Sequence, residues 1–129
     1  MQDNIRNFEV PDPFARRWQV EFRWHQNAIS IRHADTVDCK YYITDGEEKR
    51  EVVVALDHAG LLHCAALTGR ELSDAWCMRL AARHLRYMIS TWADMDKAIV
   101  TIPPAELESH ARALAEADAE ARERAMLAR

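Results

Sequence analysis

The most regular pattern in the chain is an alternation of apolar and polar residues over residues 17–24. Trp18, Val20, Phe22 and Trp24 alternate there with polar or charged neighbours. Successive side chains of a strand point to opposite faces, so this stretch is predicted to be a strand with one apolar face. Large aromatic side chains need burial, and the pattern therefore favours an antiparallel sheet that is covered on one side.

Three further strands are predicted after this one. A turn is expected at residues 25–27, because Asn27 tolerates positive φ. Asp45-Gly46 is typical of a hairpin turn. The three strands follow in chain order around Ile29 and Ile31, over residues 37–43 and over residues 51–56. The sequence therefore predicts a four-stranded antiparallel meander.

Helical signals replace the strand pattern after residue 56. Asp57 is expected to cap a short helix that Gly69 ends, and Ser73 or Asp74 to cap a longer helix over about residues 75–93. One face of the longer helix is mostly apolar and is expected to cover the aromatic sheet face. That face carries Cys77, Ala81, His84, Leu85, Met88 and Trp92.

A last helix is predicted to start at Pro103-Pro104, after a short extended link over residues 99–102, and to run to about Leu127. Its apolar stripe consists mostly of alanine and is interrupted by Asp118. Two interpretations fit this composition. The helix is either a solvated tail or a docking or dimer-forming element whose small residues allow close approach.

Together these elements predict an α+β fold in which a four-stranded antiparallel β-meander precedes three helices and the long second helix packs on one sheet face. The chain of 129 residues is divided into an N-terminal arm (1–15), an α+β core domain (16–103) and a C-terminal helix (104–129).

Composition excludes several classes of function. The net charge of −4 disfavours non-specific nucleic-acid binding, which needs a basic surplus. No apolar run approaches the length of a membrane span. The odd number of cysteines, three, together with an N-terminus unlike a signal peptide, favours reduced thiols and a cytoplasmic location.

The six histidines and three cysteines show no metal-ligand spacing, so no metal site and no cofactor are expected. His58 and His63 are five residues apart, which suits joint ligation from one helix poorly. Cys77 and His84 would lie about 10 Å apart along their helix, too far for a thiol and its base.

His84 is the candidate buried polar residue, because it interrupts the apolar face of the long helix. Burial would favour its neutral imidazole, lower its pKa and require a hydrogen-bond partner. A structural histidine of the core is the simplest interpretation. A catalytic or pH-sensing role is the alternative.

Two polar surfaces are candidates for binding a partner. The polar sheet face is expected to bring together Arg23, Arg32, Lys40 and Tyr42. The polar face of the long helix carries Arg79, Arg83 and Arg86, which could bind an anion, a nucleic acid or an acidic partner. Plain solvation is the alternative for both surfaces.

The most consistent function is a small non-catalytic protein-interaction module or accessory subunit that binds a protein partner or itself. One alternative is a small enzyme with a pocket between sheet and helices, for which a small-molecule ligand stays possible. Another is a DNA-associated helix-turn-helix regulator, because residues 64–72 place Ala65 four positions before Gly69. The acidic and apolar start of the next helix argues against DNA.

Overall fold

The computed structural model of the chain describes residues 4–29 and 35–128. It contains one sheet of five strands whose spatial order equals their chain order. The strands are β1 (Asn7–Pro11), β2 (Arg17–Ile29), β3 (Asp35–Thr44), β4 (Lys49–Asp57) and β5 (Ile99–Thr101). β1 to β4 pair antiparallel, and β5 pairs parallel to β4.

Three helices cover one face of this sheet. They are α1 (His58–Thr68), α2 (Asp74–Thr91) and α3 (Pro104–Leu127). α1 and α2 contact the sheet, and α3 packs on α1 and α2. The predicted α+β class is confirmed, and so is the packing of the long second helix on a sheet face.

The strand pattern differs from the prediction in three places. The turn expected at residues 25–27 is wrong, because β2 continues through them and pairs with β3 as far as Asp35. The ladder hydrogen bonds formed there outweigh the local turn preference of Asn27. The N-terminal segment expected to be an arm contributes β1, and the link over residues 99–102 contributes β5. Ile31 lies outside the described residues.

A β-bulge in β2 separates Trp24 from the other aromatic residues of the strand. Phe22 pairs with Tyr41 and Trp24 pairs with Lys40, so Arg23 is an extra residue. One extra residue shifts the alternation of side chains and moves the following residue to the other face. Trp24 is therefore 38% exposed on the open face, and the prediction that it is buried with Trp18 is wrong.

The core lies between the helices and the sheet face that carries Trp18. β3 and β4 supply alternating buried residues to it, and α2 supplies a wide buried surface because both the sheet and α3 cover it. The largest fully buried side chains include Trp18, Tyr41, Ile43, Leu56, Leu80, Leu85, Met88 and Ile89.

The turn between β1 and β2 is organised around the buried Asp12. Its carboxylate accepts hydrogen bonds from the Trp18 indole (3.0 Å) and the Arg16 guanidinium (3.0 Å) and from the backbone N–H groups of Phe14 and Arg16. Burial by itself raises the pKa of Asp12, but these hydrogen bonds lower it to about 2. The N-terminal segment is thereby fixed to the core.

The predicted helix signals are confirmed. The Asp57 side chain accepts from the backbone N–H of Gly60, and Gly69 ends α1 in the left-handed conformation. Ser73 caps α2, and Pro104 stands in the first turn of α3.

The first half of α3 is part of the core. Leu107 and Ala111 are fully buried. A Cβ added to Gly60 would lie 3.0 Å from Leu107 Cδ2, so the glycine permits the close approach of α1 and α3. Beyond Asp118 the helix is exposed through residue 128. Of the two interpretations of this helix, the solvated tail therefore fits only its second half.

Candidate functional site

The first candidate surface is the outer face, the side of the sheet opposite the helices. Because Val52 and Val54 point into the core, Val53 between them lies on the outer face. Strand pairing then defines a continuous row across four strands, in which Trp24 pairs with Lys40, Lys40 with Val53, and Val53 with Ile99. We call these four residues the outer row.

The outer row presents apolar surface to solvent. Trp24 is 38% exposed and Ile99 is 66% exposed, while Val53 is half-buried. The Lys40 ammonium lies 5.7 Å from the centroid of the Trp24 ring, so its aliphatic stem can cover the row between Trp24 and Val53. Neighbouring strands are about 4.8 Å apart, so the row is roughly 14 Å long.

Tyr42 lies beside the outer row at the centre of a group of cations. Arg23, Lys40 and Lys49 lie 4.9, 5.7 and 4.8 Å from the centroid of its ring. Arg23 also contacts Glu21 (3.0 Å) and Lys40 contacts Glu51 (3.3 Å), so the charges of the outer face are mixed. The structure thus brings together three of the four residues predicted on this face. Arg32 lies outside the described residues.

The second candidate surface is the α2–α3 groove, a cavity of about 430 Å³. Both helices contribute polar side chains spaced three or four residues apart, which places them on one face of each helix. The lining residues are Arg83, Arg86, Tyr87 and Ser90 of α2 and Glu106, Ser109 and His110 of α3. Arg86 also stacks on Phe8, its guanidinium carbon being 4.7 Å from the ring centroid.

His84 lies beneath this groove, where it contacts α3. It is 1% exposed, and its Nδ1 lies 3.1 Å from Nε2 of His110, which is 8% exposed. One ring donates this hydrogen bond and the other accepts it. A buried histidine was expected to need a hydrogen-bond partner, which the sequence did not identify. The structure shows that this partner of His84 is a second buried histidine, His110.

Both imidazoles favour the neutral form. Burial lowers the pKa of His84, although Glu106 and Asp94 oppose this effect. Burial, the neighbouring His84 and the charge of Arg83 together lower the pKa of His110 to about 4. The predicted direction for His84 therefore agrees with its surroundings. His84 Nε2 is buried and has no hydrogen-bond partner among the described residues.

Arg79 belongs to neither surface. It forms two hydrogen bonds with Asp118 of α3 (3.0 and 2.9 Å), and Arg70 contacts the same carboxylate at 2.9 Å. The hydrogen bond from Arg79 is the main cause of the lowered pKa of Asp118. Asp118, which interrupts the apolar stripe, thus fastens α3 to α2. The three arginines predicted on one face of α2 therefore have different surroundings. Arg79 binds Asp118, whereas Arg83 and Arg86 line the α2–α3 groove.

The thiols are not arranged for catalysis. Cys39, Cys64 and Cys77 are all buried and unpaired. Burial raises the pKa of Cys39 to about 12 and that of Cys77 to about 11, and it also raises the pKa of Cys64. A catalytic cysteine needs a lowered pKa. Within residues 4–29 and 35–128, no group of three or more His, Cys, Asp or Glu side chains is placed to hold a metal ion.

The start of α2 is partly buried. A recognition helix contacts base edges with the residues of its first turns. Trp76, Cys77 and Met78 occupy these turns and are buried in the core. Gly69 ends α1, and its backbone N–H donates a hydrogen bond to the carbonyl of Ala65.

Sequence reasoning missed Trp24 as a surface residue and missed the part of α3 in the groove. No sequence signal marks the bulge at Arg23. The sequence contains a weak signal for the groove. Glu106, Ser109 and His110 are spaced i, i+3 and i+4 and so share one helical face.

Comparisons with protein-family models, curated proteins and solved structures gave no match. None of the helices in the described part of the chain has the length and apolarity required to cross a membrane. The geometry of the two surfaces is therefore the basis for assigning a function.

Proposed function

We propose that the protein is a small non-catalytic interaction module that binds a protein partner through the outer face of its sheet. The observation that carries this proposal is the β-bulge at Arg23, which turns Trp24 away from the core and into the outer row. Bulges commonly re-aim side chains next to functional sites. Tryptophan is enriched among the residues that dominate binding energy at protein interfaces.

The chemistry around Trp24 supports a protein as the ligand. An apolar centre with aromatic residues, surrounded by charges of both signs, is typical of a modest protein interface. Trp24, Val53 and Ile99 supply the apolar centre, and Arg23, Lys40 and Lys49 alternate with Glu21 and Glu51 around it. If the bound partner is an enzyme, this protein would be its accessory subunit.

A cytoplasmic location is part of the proposal. Its support is the three free thiols, since cysteines in oxidising compartments are usually paired.

Affinity capture from a native lysate, combined with analytical ultracentrifugation, tests the proposal. The wild type is compared with Trp24→Ala and Ile99→Ser on the outer row. The matched control is Leu62→Ala, which removes an apolar side chain that is 53% exposed on α1. All three positions are on the surface, so thermal melting should confirm folded variants.

We expect each outer-row variant to reduce the captured partner at least about tenfold, as for an interface residue worth roughly 1.4 kcal/mol or more. The control should capture the same amount as the wild type. If the partner is a second copy, the same variants should convert a dimer to a monomer. Equal capture by all four proteins contradicts the proposal, and so does a monomeric wild type that captures nothing.

A further inference from the structure

The α2–α3 groove is a second surface, distinct from the outer face and on the helical side of the molecule. We propose that it binds the phosphate group of a small phosphate monoester. Arg83 and Arg86 hold the phosphate, the Ser109 hydroxyl adds a further donor, and Tyr87 borders the rest of the ligand.

The two arginines are placed to act together. They are three residues apart on α2, which brings their Cβ atoms to within about 5–6 Å of each other on one helical face. Among the described residues, neither Arg83 nor Arg86 forms an ion pair with a carboxylate. Because neither guanidinium group is paired with a carboxylate, an anion bound in the groove would be stabilised by both.

Arg86 is held by an aromatic ring. Its guanidinium carbon lies 4.7 Å from the centroid of the Phe8 ring in β1. A guanidinium stacked on a ring keeps its N–H groups free at the edge, in the planar arrangement that suits oxyanions. Less conformational entropy is lost when such a side chain binds.

The number of donors favours phosphate over carboxylate. Two arginines binding through two N–H groups each, with the Ser109 hydroxyl, offer about five donors, whereas a carboxylate accepts about four hydrogen bonds. The three terminal oxygens of a phosphate monoester match this set better. Glu106 is the acidic residue that lines the groove, and the buried His84–His110 pair adds no charge at neutral pH.

The size of the groove favours an organic ester. Its volume of about 430 Å³ falls in the range of roughly 300–1,000 Å³ that is typical of small-molecule sites. A bare phosphate ion would fill a small part of it. The remaining space is bordered by Tyr87, which is 39% exposed.

NMR titration of the full-length protein with phenyl phosphate, inorganic phosphate and benzoate tests the proposal. We expect phenyl phosphate to shift the amide resonances of groove residues and to bind at least about tenfold more tightly than either of the other anions. No groove shifts at about 10 mM phenyl phosphate would overturn the proposal. Binding of inorganic phosphate or benzoate that equals that of phenyl phosphate would also overturn it.

Variants separate a specific site from general attraction of anions. Arg83→Met and Arg86→Met should each weaken phenyl phosphate binding about tenfold, the effect of losing a charge-assisted hydrogen bond. Arg124→Met removes the same charge from the exposed end of α3 and should leave binding unchanged. Glu106→Gln should strengthen binding roughly threefold, because it removes a like charge beside the anion. An equal loss in the Arg124 and Arg83 variants would show non-specific attraction and overturn the proposal.

Discussion

At the scale of single residues, the clearest feature is the hydrogen-bonded pair of neutral histidines beneath the α2–α3 groove. Both side chains are more than nine-tenths buried, and burial is the main cause of their lowered pKa values. The charged groups around them are Arg83 and Glu106 beside the groove and the more distant Asp94. Protonation of either ring would place an unfavourable charge in the core, and protonation of the accepting nitrogen would also break the hydrogen bond between the rings.

The pair should make stability depend on pH. In the unfolded chain each histidine has a pKa near 6.5, whereas the folded pKa of His110 is about 4. The unfolded state therefore binds protons first, and stability is full above pH 6.5 and falls as the pH decreases towards 4. We expect a loss of about 3 kcal/mol in the free energy of unfolding between full stability and pH 4.

Urea denaturation of the wild type and His110→Gln at several pH values measures this effect. The variant should lose less stability than the wild type between pH 6.5 and 4.5, since glutamine does not titrate. Parallel pH profiles for the wild type and His110→Gln would show that the pair does not titrate as described.

Sequence reasoning identified His84 as buried and neutral because periodicity places it on an apolar helical face. It did not identify His110, whose burial depends on how α3 crosses α2. The position of Trp24 was also beyond sequence reasoning, because a one-residue bulge leaves local composition unchanged while it reverses the direction of the next side chain.

At the scale of elements, α3 is divided at Asp118 into a packed half and an exposed half. Leu107 and Ala111 belong to the core cluster, and the Asp118 carboxylate forms ion pairs with Arg70 and Arg79. An alanine-rich stripe alone suggested a weakly attached helix. The close contact of Leu107 with Gly60 explains why the packed half is firmly held, since small residues permit the helices to approach.

Removing the exposed half of α3 should therefore change stability little, whereas a single substitution in its packed half should destabilise the protein. Deleting residues 119–129 should shift the melting temperature by only a few degrees, because residues 119–128 are exposed and lie beyond the Asp118 contacts. Leu107→Ala should lower the free energy of unfolding by about 2–5 kcal/mol, the usual effect of a cavity in a core. Leu127→Ala, at a position 80% exposed, is the matched control and should be nearly neutral.

Thermal melting followed by circular dichroism checks these expectations. A truncated protein that unfolds at room temperature would show that the second half of α3 also supports the core. A Leu107→Ala variant as stable as the wild type would show that α3 does not pack as described.

The elements that could be predicted are those with local causes. Caps, the hairpin at Asp45-Gly46 and the apolar face of α2 depend on residues that are neighbours in the chain. β1 and β5 could not be predicted, because each is short and exists through pairing with a strand that is already formed. Their residues carry little periodic signal of their own.

At the scale of the whole molecule, the helices cover one sheet face, and within residues 4–29 and 35–128 no helix covers the outer face, which is open there. The outer row lies on that open face, and the α2–α3 groove lies in the helical layer. The two surfaces are therefore separate, and a ligand in the groove does not compete directly with a protein on the sheet. The fold class followed from the sequence, whereas both surfaces depend on contacts between distant segments.

Site-specific photo-cross-linking tests most directly whether the outer face binds a protein. Trp24→p-benzoylphenylalanine keeps an aromatic side chain in the outer row and forms a covalent bond to a protein seated on it. The same substitution of Leu62, which is 53% exposed on α1, is the matched control. We predict a discrete cross-linked species from position 24 and none from position 62. No cross-link from position 24, or the same cross-link from both positions, would contradict binding through the outer face.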